Sequence, residues 1–281
     1  VQPGYDPAAA TDPLARWLLA KADAAITEAT EALERFRFDD YAAALYGFAW
    51  NTYCDWFIEF AKPVLNGPDG AEKAQVQGAA QHVLGVVLRL LHPVMPFVTA
   101  ELWEKLGYGE ATGLTAAAWP QPAGVTAAGE GIDLAITAIG GIRSARSALN
   151  VPAGAVLPLR VSGPAAQVAM LAGFAPQLAR LARVEAPVEG AGEGPGASAT
   201  AGELTLFLPL AGVVDLAAER ARLGKERARI AGERDKLAKK LDNPGFRAKA
   251  EPSVIEETEE RVREAGAELA RLDAALVRIA Q

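Results

Sequence analysis

Apolar residues fall at helical spacing along most of this chain. Leu14, Leu18, Ala22, Ala25, Ala29 and Leu33 recur three or four residues apart, the stripe that an amphipathic helix buries. Asp12-Pro13 opens that helix with a capping side chain and a proline at the first helical position. Arg35-Phe36-Arg37-Phe38 breaks the stripe, and Asp39 is placed to cap a second helix. That helix carries Leu45, Phe48, Ala49, Tyr53, Trp56, Phe57 and Phe60 and stops near Lys62-Pro63, before the loop Asn66–Gly70. A third helix, from about Ala71 to Leu91, has Val83, Leu84, Val87, Leu88 and Leu91 on its apolar face. His92-Pro93 ends it, and Pro96 starts a fourth through Val98, Leu102, Trp103 and Leu106. Four helices with short links predict a bundle.

The texture changes further on. Trp119-Pro120-Gln121-Pro122 reads as an extended connection, and a helix follows from about Ile132 to Leu149. Val156–Val161 and Glu203–Leu208 alternate like strands. Short Ala-rich helices lie between them, with a Gly- and Ala-dense loop, Glu189–Gly202, expected to be mobile. Beyond Asp215 the pattern is heptad. Ile255, Thr258, Val262, Ala265, Leu269, Leu272, Leu276 and Ile279 alternate steps of three and four, and Leu216, Leu223, Ile230 and Leu237 repeat every seven, with Leu241 closing. Asn243-Pro244-Gly245-Phe246 between these runs is a stop that a helix cannot pass, expected to be one tight turn. The expected fold is mainly α: a helical bundle over 1–130, a small α+β connector over 131–212 and an antiparallel coiled-coil arm over 213–281.

Charge adds what hydropathy leaves out. The chain has 281 residues and a formal net charge of −7, so it is no wholly polyanion-coating protein. From Glu219 to Lys249, however, eleven Lys or Arg face five acids, a balance of +6, while Glu251–Gln281 has eight acids and four Arg. Positive charge gathered on one projecting helix of about 40 Å is the form of a local polyanion-binding arm. Cys54 is the one cysteine, and His82 and His92 are the two imidazoles, which excludes an internal disulfide and a cysteine-rich zinc site. No apolar run approaches a membrane span and the first 30 residues lack a signal-peptide pattern, so cytoplasmic localisation and no membrane partner are expected. The start at Val1 rather than Met is read as a cut from a longer protein.

Four stretches together carry a resemblance. Arg37-Phe38 followed by Ala44–Glu59, with Cys54-Asp55-Trp56 at its centre, is similar to the anticodon-binding bundle of class I aminoacyl-tRNA synthetases, and to the valine enzymes above all. Leu90–Trp103 resembles the same domain and is shared with the isoleucine and leucine enzymes. Ile142–Pro152 resembles the valyl pattern beyond the bundle, and Asn243–Pro252 resembles the tip of the C-terminal coiled coil of valyl-tRNA synthetases. Residues 153–202 match weakly. The His-Ile-Gly-His and Lys-Met-Ser-Lys-Ser signatures of catalysis are absent from the sequence, as is a Gly-rich phosphate loop after a strand. The resemblance therefore implies the tRNA-binding portion of a ligase whose ATP-using catalytic and editing domains lie upstream. The implied partner is the tRNA for valine; no cofactor, no metal and a monomer are expected.

Candidate residues follow from the two readings combined. Arg35 and Arg37 flank a helix junction, and Arg143, Arg146 and Asn150 share one helical face. Each is either a solvated, ion-paired position or a phosphate or base contact near the anticodon stem. On the arm, Lys225, Arg229, Lys236, Lys239, Lys240, Arg247 and Lys249 are the candidates, directed by the resemblance to the outer corner of tRNA. Most of Trp50, Tyr53, Trp56, Phe57 and Phe60 are expected in the bundle core, with an exposed one free to stack on a base. His92 is expected to bond backbone, Cys54 to be buried and inert, and Phe246 to cap the coiled-coil tip. No catalytic residue is expected. The rivals are the C-terminus of an isoleucine or leucine enzyme, and a coiled-coil protein-interaction module.

Overall fold

The computed structural model describes residues 5–125, 129–210, 212, 216–249 and 251–280, without the side chains of residues 111, 112, 216, 217, 219, 247–249 and 278–280. The chain divides into two compact units, Val1–Asp133 and Leu134–Gln281. No helix among the described residues is long and apolar enough to cross a membrane.

The first unit is helical. Helix α1 (Pro13–Glu34) starts where Asp12 accepts from the Ala15 N–H at 2.8 Å. It ends in a tight αL turn: Phe36 has φ +56°, the Phe36 N–H bonds to Leu33 O and the Arg37 N–H to Ala32 O. That pair of bonds is the Schellman closure, usually built on glycine. Helix α2 (Phe38–Tyr46) has no side-chain cap, so Asp39 does not play the expected role; it sits in the first turn. The chain then continues without a break through a π-helical segment (Gly47–Phe57) into α3 (Ile58–Leu65). Pro63 lies inside α3 and the helix stops two residues later, beyond the expected end. Helices α4 (Ala71–Leu91) and α5 (Pro96–Lys105) begin and end as the sequence predicts, and a short α6 (Ala111–Thr115) follows. His92 departs from expectation: its ring nitrogens face the hydroxyls of Thr99 at 2.8 Å and Thr115 at 3.3 Å, not backbone.

The core of this unit joins Ile26, Ala29 and Ala32 of α1 to Tyr41 and Leu45 of α2 and Val86 and Leu90 of α4. Tyr41 donates its hydroxyl to the Leu90 carbonyl, and burial pushes its pKa up to about 12. The extended connection is strapped to α1. Asp23 accepts from the Ala123 and Val125 N–H groups at 2.7 and 3.0 Å, and Trp119 donates to Thr30 at 2.8 Å. Gly129 (φ +102°) passes so close to Trp17 that an added Cβ would lie 2.3 Å from its ring.

Helix α7 (Glu130–Ala148) leads into the second unit. A four-stranded sheet follows, in the order β2-β1-β4-β3, from β1 (Arg160–Ser162), β2 (Val188–Glu189), β3 (Gly196–Ala201) and β4 (Leu204–Pro209). β1 and β2 are parallel, so they need a crossover, supplied by α8 (Ala165–Ala172) and α9 (Ala175–Ala182). The other pairs are antiparallel. Val161, Leu204, Leu206 and Leu208 are buried. Part of the stretch expected to be a mobile loop is strand β3, paired along its length with β4. Its first residue must be small because Phe207 lies against it: a Cβ on Gly196 would meet the Phe207 ring at 2.3 Å. The first expected strand is shorter than foreseen, with Leu157 making only an isolated bridge to Val184.

The unit ends in two long antiparallel helices, α10 (Leu216–Asp242) and α12 (Pro252–Ala280). Their link is not a single turn; it holds a six-residue helix, α11 (Pro244–Lys249). Leu223, Leu241, Thr258, Leu269 and Leu272 are buried in the seam, as the heptads predict. The side chains of Leu216 and Ile279 lie outside the described residues.

Candidate nucleic-acid interface

Continuous α10 sorts its cations by face. At 3.6 residues per turn, Arg222, Lys225, Arg229, Lys236, Lys239 and Lys240 fall within an arc of roughly 100°. Leu223, Ile230, Leu237 and Leu241 occupy the far side and meet α12. Cations on this arc therefore point away from the partner helix, and Lys225, Lys236, Lys239 and Lys240 are exposed.

Not every candidate on that face is available. Arg229 bonds Glu226 at 2.6 Å and Glu233 at 2.7 Å on its own helix. The hydrogen bond and charge of Glu226, then Glu233, raise its pKa well above the ordinary arginine value. Arg229 is thus internally balanced. Lys225, Lys236 and Lys239 have no carboxylate partner among the described residues, while Lys240 lies 4.5 Å from the centre of the Phe246 ring. That contact supports the capping role of Phe246 at the tip, where the ring is half-buried. Arg227, a seam position, pairs with Asp273 across the hairpin. The side chains of Arg247 and Lys249 lie outside the described residues.

The bundle offers a different surface. The αL turn leaves Phe36 79% and Phe38 63% exposed. A bulky residue at positive φ is uncommon and strained, so Phe36 is held out against its own backbone preference. Beside it, Arg37 binds Asp39 with both its Nε and Nη2, each at 3.2 Å, and reaches Asp40 at 3.1 Å. The bond to Asp39 and then its charge raise the Arg37 pKa, and the same bond holds the Asp39 carboxyl below its usual range. Arg35 meets Glu31 at 3.4 Å. These arginines line an open groove of about 460 Å³ between α1 and α2. Glu28, Glu31 and Asp40 line the same groove, so the charge of these arginines is balanced within the protein, as that of Arg229 is.

The π-helical segment bears the aromatics. Its wide register shows in Thr52 and Ile58, whose hydroxyl and N–H each reach a carbonyl five residues back, on Gly47 and Tyr53. Such segments are rare and concentrate at functional sites. Tyr46 and Trp50 stack with centroids 6.2 Å apart and planes 13° apart, and both are more than half exposed. Phe57 and Phe60 are buried and Tyr53 and Trp56 half-buried, so Trp50 is the member of the expected core set that faces outward. Cys54 is exposed, against expectation. Partial burial of its sulfur and then the Asp55 charge raise the thiol pKa, which keeps the sulfur protonated and a poor nucleophile.

The candidates of α7 belong to the second unit. Arg146 is buried and donates to the carbonyls of Arg183, Pro152 and Ala155 at 3.2, 3.0 and 2.8 Å. It binds three backbone oxygens and is not presented to a ligand. Burial, then the Arg183 charge, lowers its pKa. Asn150 (φ +47°) is the αL residue closing α7, with the Val151 N–H bonded to Arg146 O; asparagine tolerates that conformation. Arg143 is exposed, with Nε on the Leu181 carbonyl at 2.8 Å. Sequence reasoning missed Phe36, Phe38 and Tyr46 as surface groups; the one available signal was the break in the apolar stripe after Leu33.

Comparison with known proteins gives one match that starts in the first unit and continues into the second, and another on the two long helices. Residues 15–161 match the family described as the anticodon-binding domain of tRNA ligase, and residues 215–280 match the valyl tRNA synthetase tRNA binding arm. Similar curated proteins include the valine–tRNA ligases of Granulibacter bethesdensis (47% identical over 99% of this chain), Gluconobacter oxydans (42% over 98%) and Caulobacter vibrioides (44% over 99%). The matches cover 32%, 31% and 32% of those proteins, so the chain spans about a third of the length of the relatives.

Proposed function

This chain belongs to the anticodon-binding domain family of tRNA ligases, and from that premise we propose that it is the C-terminal, tRNA-holding third of a valine–tRNA ligase. The bundle takes the anticodon stem-loop and the coiled-coil arm takes the outer corner of the tRNA. Valine attachment with ATP belongs to polypeptide outside this third, since neither nucleotide signature of the class occurs in the sequence. The carrying observation is the exposed lysine face of α10, set opposite an apolar seam. It gives the arm sequence-independent phosphate contacts that fix register. Base discrimination falls to the groove and aromatics around Phe36, Phe38 and Trp50, where unstacked bases of a loop find ring faces.

Two measurements on the purified chain test this together. It is expected to bind the tRNA for valine with an affinity that falls steeply as salt rises. It is expected to show no valine-dependent ATP–pyrophosphate exchange. Salt-independent binding favours the rival reading, a coiled coil that docks a helical protein partner, and exchange above background places catalysis within this chain.

A further inference from the structure

One run of the second unit carries cations and no acid. From Leu134 to Val184 the sequence holds five Arg and not one Asp or Glu, in a chain whose formal net charge is −7. Four of the five, Arg143, Arg146, Arg180 and Arg183, gather where the end of α7 meets the end of α9. Arg143 places its Nε on the Leu181 carbonyl at 2.8 Å, and Arg146 its Nη1 on the Arg183 carbonyl at 3.2 Å. Arg143, Arg180 and Arg183 are exposed, and Arg146 is buried. The first acid after this run, Glu185, follows Arg183 by two residues, so four cations stand against one acid. Ser147, exposed on α7 one turn beyond Arg143, adds a hydroxyl donor. A local basic patch on an acidic protein is the electrostatic footprint of a polyanion.

We propose that Arg143, Arg180 and Arg183 grip backbone phosphates of the bound tRNA, as a contact surface separate from the bundle groove and the arm; the inference rests on reading the chain as the tRNA-holding part of a ligase. The ordinary role of such arginines is to complement the dipole at a helix C-terminus. That role accounts for Arg143 and Arg146, whose guanidinium groups bond carbonyls at the end of α9. It does not account for Arg183. This residue closes α9 in the left-handed conformation, with φ +55° and ψ +53°, where glycine is usual. An arginine there is held against its backbone preference. Its guanidinium makes no hydrogen bond or ion pair among the described residues. Its charge also bears on its neighbour: burial first, and then the Arg183 charge, lower the pKa of Arg146. Like charges crowded together at a strained position are relieved by an anion. The guanidinium fork suits phosphate oxygens. Exposed side chains hold a lone anion weakly against water, whereas a polymer that presents phosphates in series engages several of them at once.

Arg183→Gly removes the charge without harming the fold, because glycine is at home in the left-handed conformation. It is combined with Arg180→Gln, at an exposed helical position. Urea unfolding of the double variant is expected to match or exceed the stability of the native chain. Its affinity for the tRNA for valine is expected to fall several-fold at low salt. Its log–log salt slope is expected to flatten by about 0.7–0.9 for each phosphate released. The loss should persist when Lys225, Lys236, Lys239 and Lys240 are also replaced by Gln, because the arm neutralises different phosphates. A stable variant with unchanged affinity and slope overturns the proposal. So does a loss of stability with tRNA binding intact, which returns the arginines to capping helices. If inorganic phosphate at about millimolar concentration and constant ionic strength erases the difference between native and variant chains, the patch is a small-anion site and the proposal fails. Should the double variant not fold, Arg183→Gly and Arg183→Asn, each alone, give the same decision. A native chain that binds no tRNA sinks this proposal and the functional reading together; native binding that the variant leaves untouched sinks this proposal alone.

Discussion

The Arg146 guanidinium donates to the backbone carbonyl of Arg183 at 3.2 Å. That bond, with those to Pro152 and Ala155, ties the end of α7 to the loop after it and to the αL residue that closes α9. Hydrogen bonds from a charged donor contribute about 1.5–3 kcal/mol each, and truncation leaves three carbonyls short of a partner. Arg146→Met is therefore expected to destabilise the second unit by roughly 2–4 kcal/mol, read by urea unfolding. A loss in tRNA affinity without a loss in stability would return Arg146 to the binding surface.

Replacing Lys225, Lys236, Lys239 and Lys240 with Gln removes charge from the outer face of α10 and leaves the seam alone. Glutamine is a good helix former, so the circular dichroism of the chain should hold. Binding to tRNA should weaken, and the log–log salt slope should flatten by about 0.7–0.9 for each phosphate that the arm no longer neutralises. Arg229→Gln should do much less, because Glu226 and Glu233 already balance it. An unchanged slope in the lysine variant would mean that the face is merely solvated.

Phe36 separates stability from binding. Its αL backbone costs about 1–2 kcal/mol relative to a residue free of that strain, and its side chain is largely in water. Phe36→Gly should leave stability equal or raised by about 1 kcal/mol, glycine's entropy offsetting part of the relief. The same substitution should weaken binding of the tRNA for valine. Base stacking on an aromatic is worth about 1–3 kcal/mol, and the deficit should shrink for a tRNA whose middle anticodon base is replaced. Equal losses for both tRNAs would remove Phe36 from base recognition.

His82 sets a pH limit on the bundle. Burial, then the Arg89 charge, lowers its pKa from 6.5, with Asp23 opposing. The unfolded chain thus binds a proton that the folded chain refuses, and stability rises with pH across that interval. The contribution is complete above about 6.5 and is lost as pH falls through the folded value. Chemical unfolding between pH 5 and 7.5, on a scale set by the imidazole range, should show this slope in the native chain and a weaker one in His82→Gln. Parallel slopes would assign the loss to other groups.

The helices were legible because their ends are written in chemistry: Asp12-Pro13 and Pro96 start helices where the structure starts them, and His92 stands where α4 stops. Strand β3 was not legible. Gly196–Ala201 has small side chains with little apolar alternation, and its place is set by pairing along β4. The π register was hidden because aromatic residues four apart look alike in either helix. Arg146 was misread for a different reason, since its partners are carbonyls and every sequence has those everywhere. Arg229 was misread although Glu226 and Glu233, three and four residues away, carry the pattern of intrahelical pairing.

Among the described residues on the outer face of α10, the cations without a carboxylate partner include the lysines Lys225, Lys236 and Lys239, and the choice of lysine over arginine there has a kinetic side. An ammonium on a flexible stem is a point charge with no planar fork to read a base edge. Its attraction is long-ranged and forgiving of angle, so it acts on molecules still approaching. On the proposed reading, the arm's main contribution is to the rate of encounter. It would catch any tRNA that passes, and selection among them would be left to how quickly the wrong ones depart from the bundle.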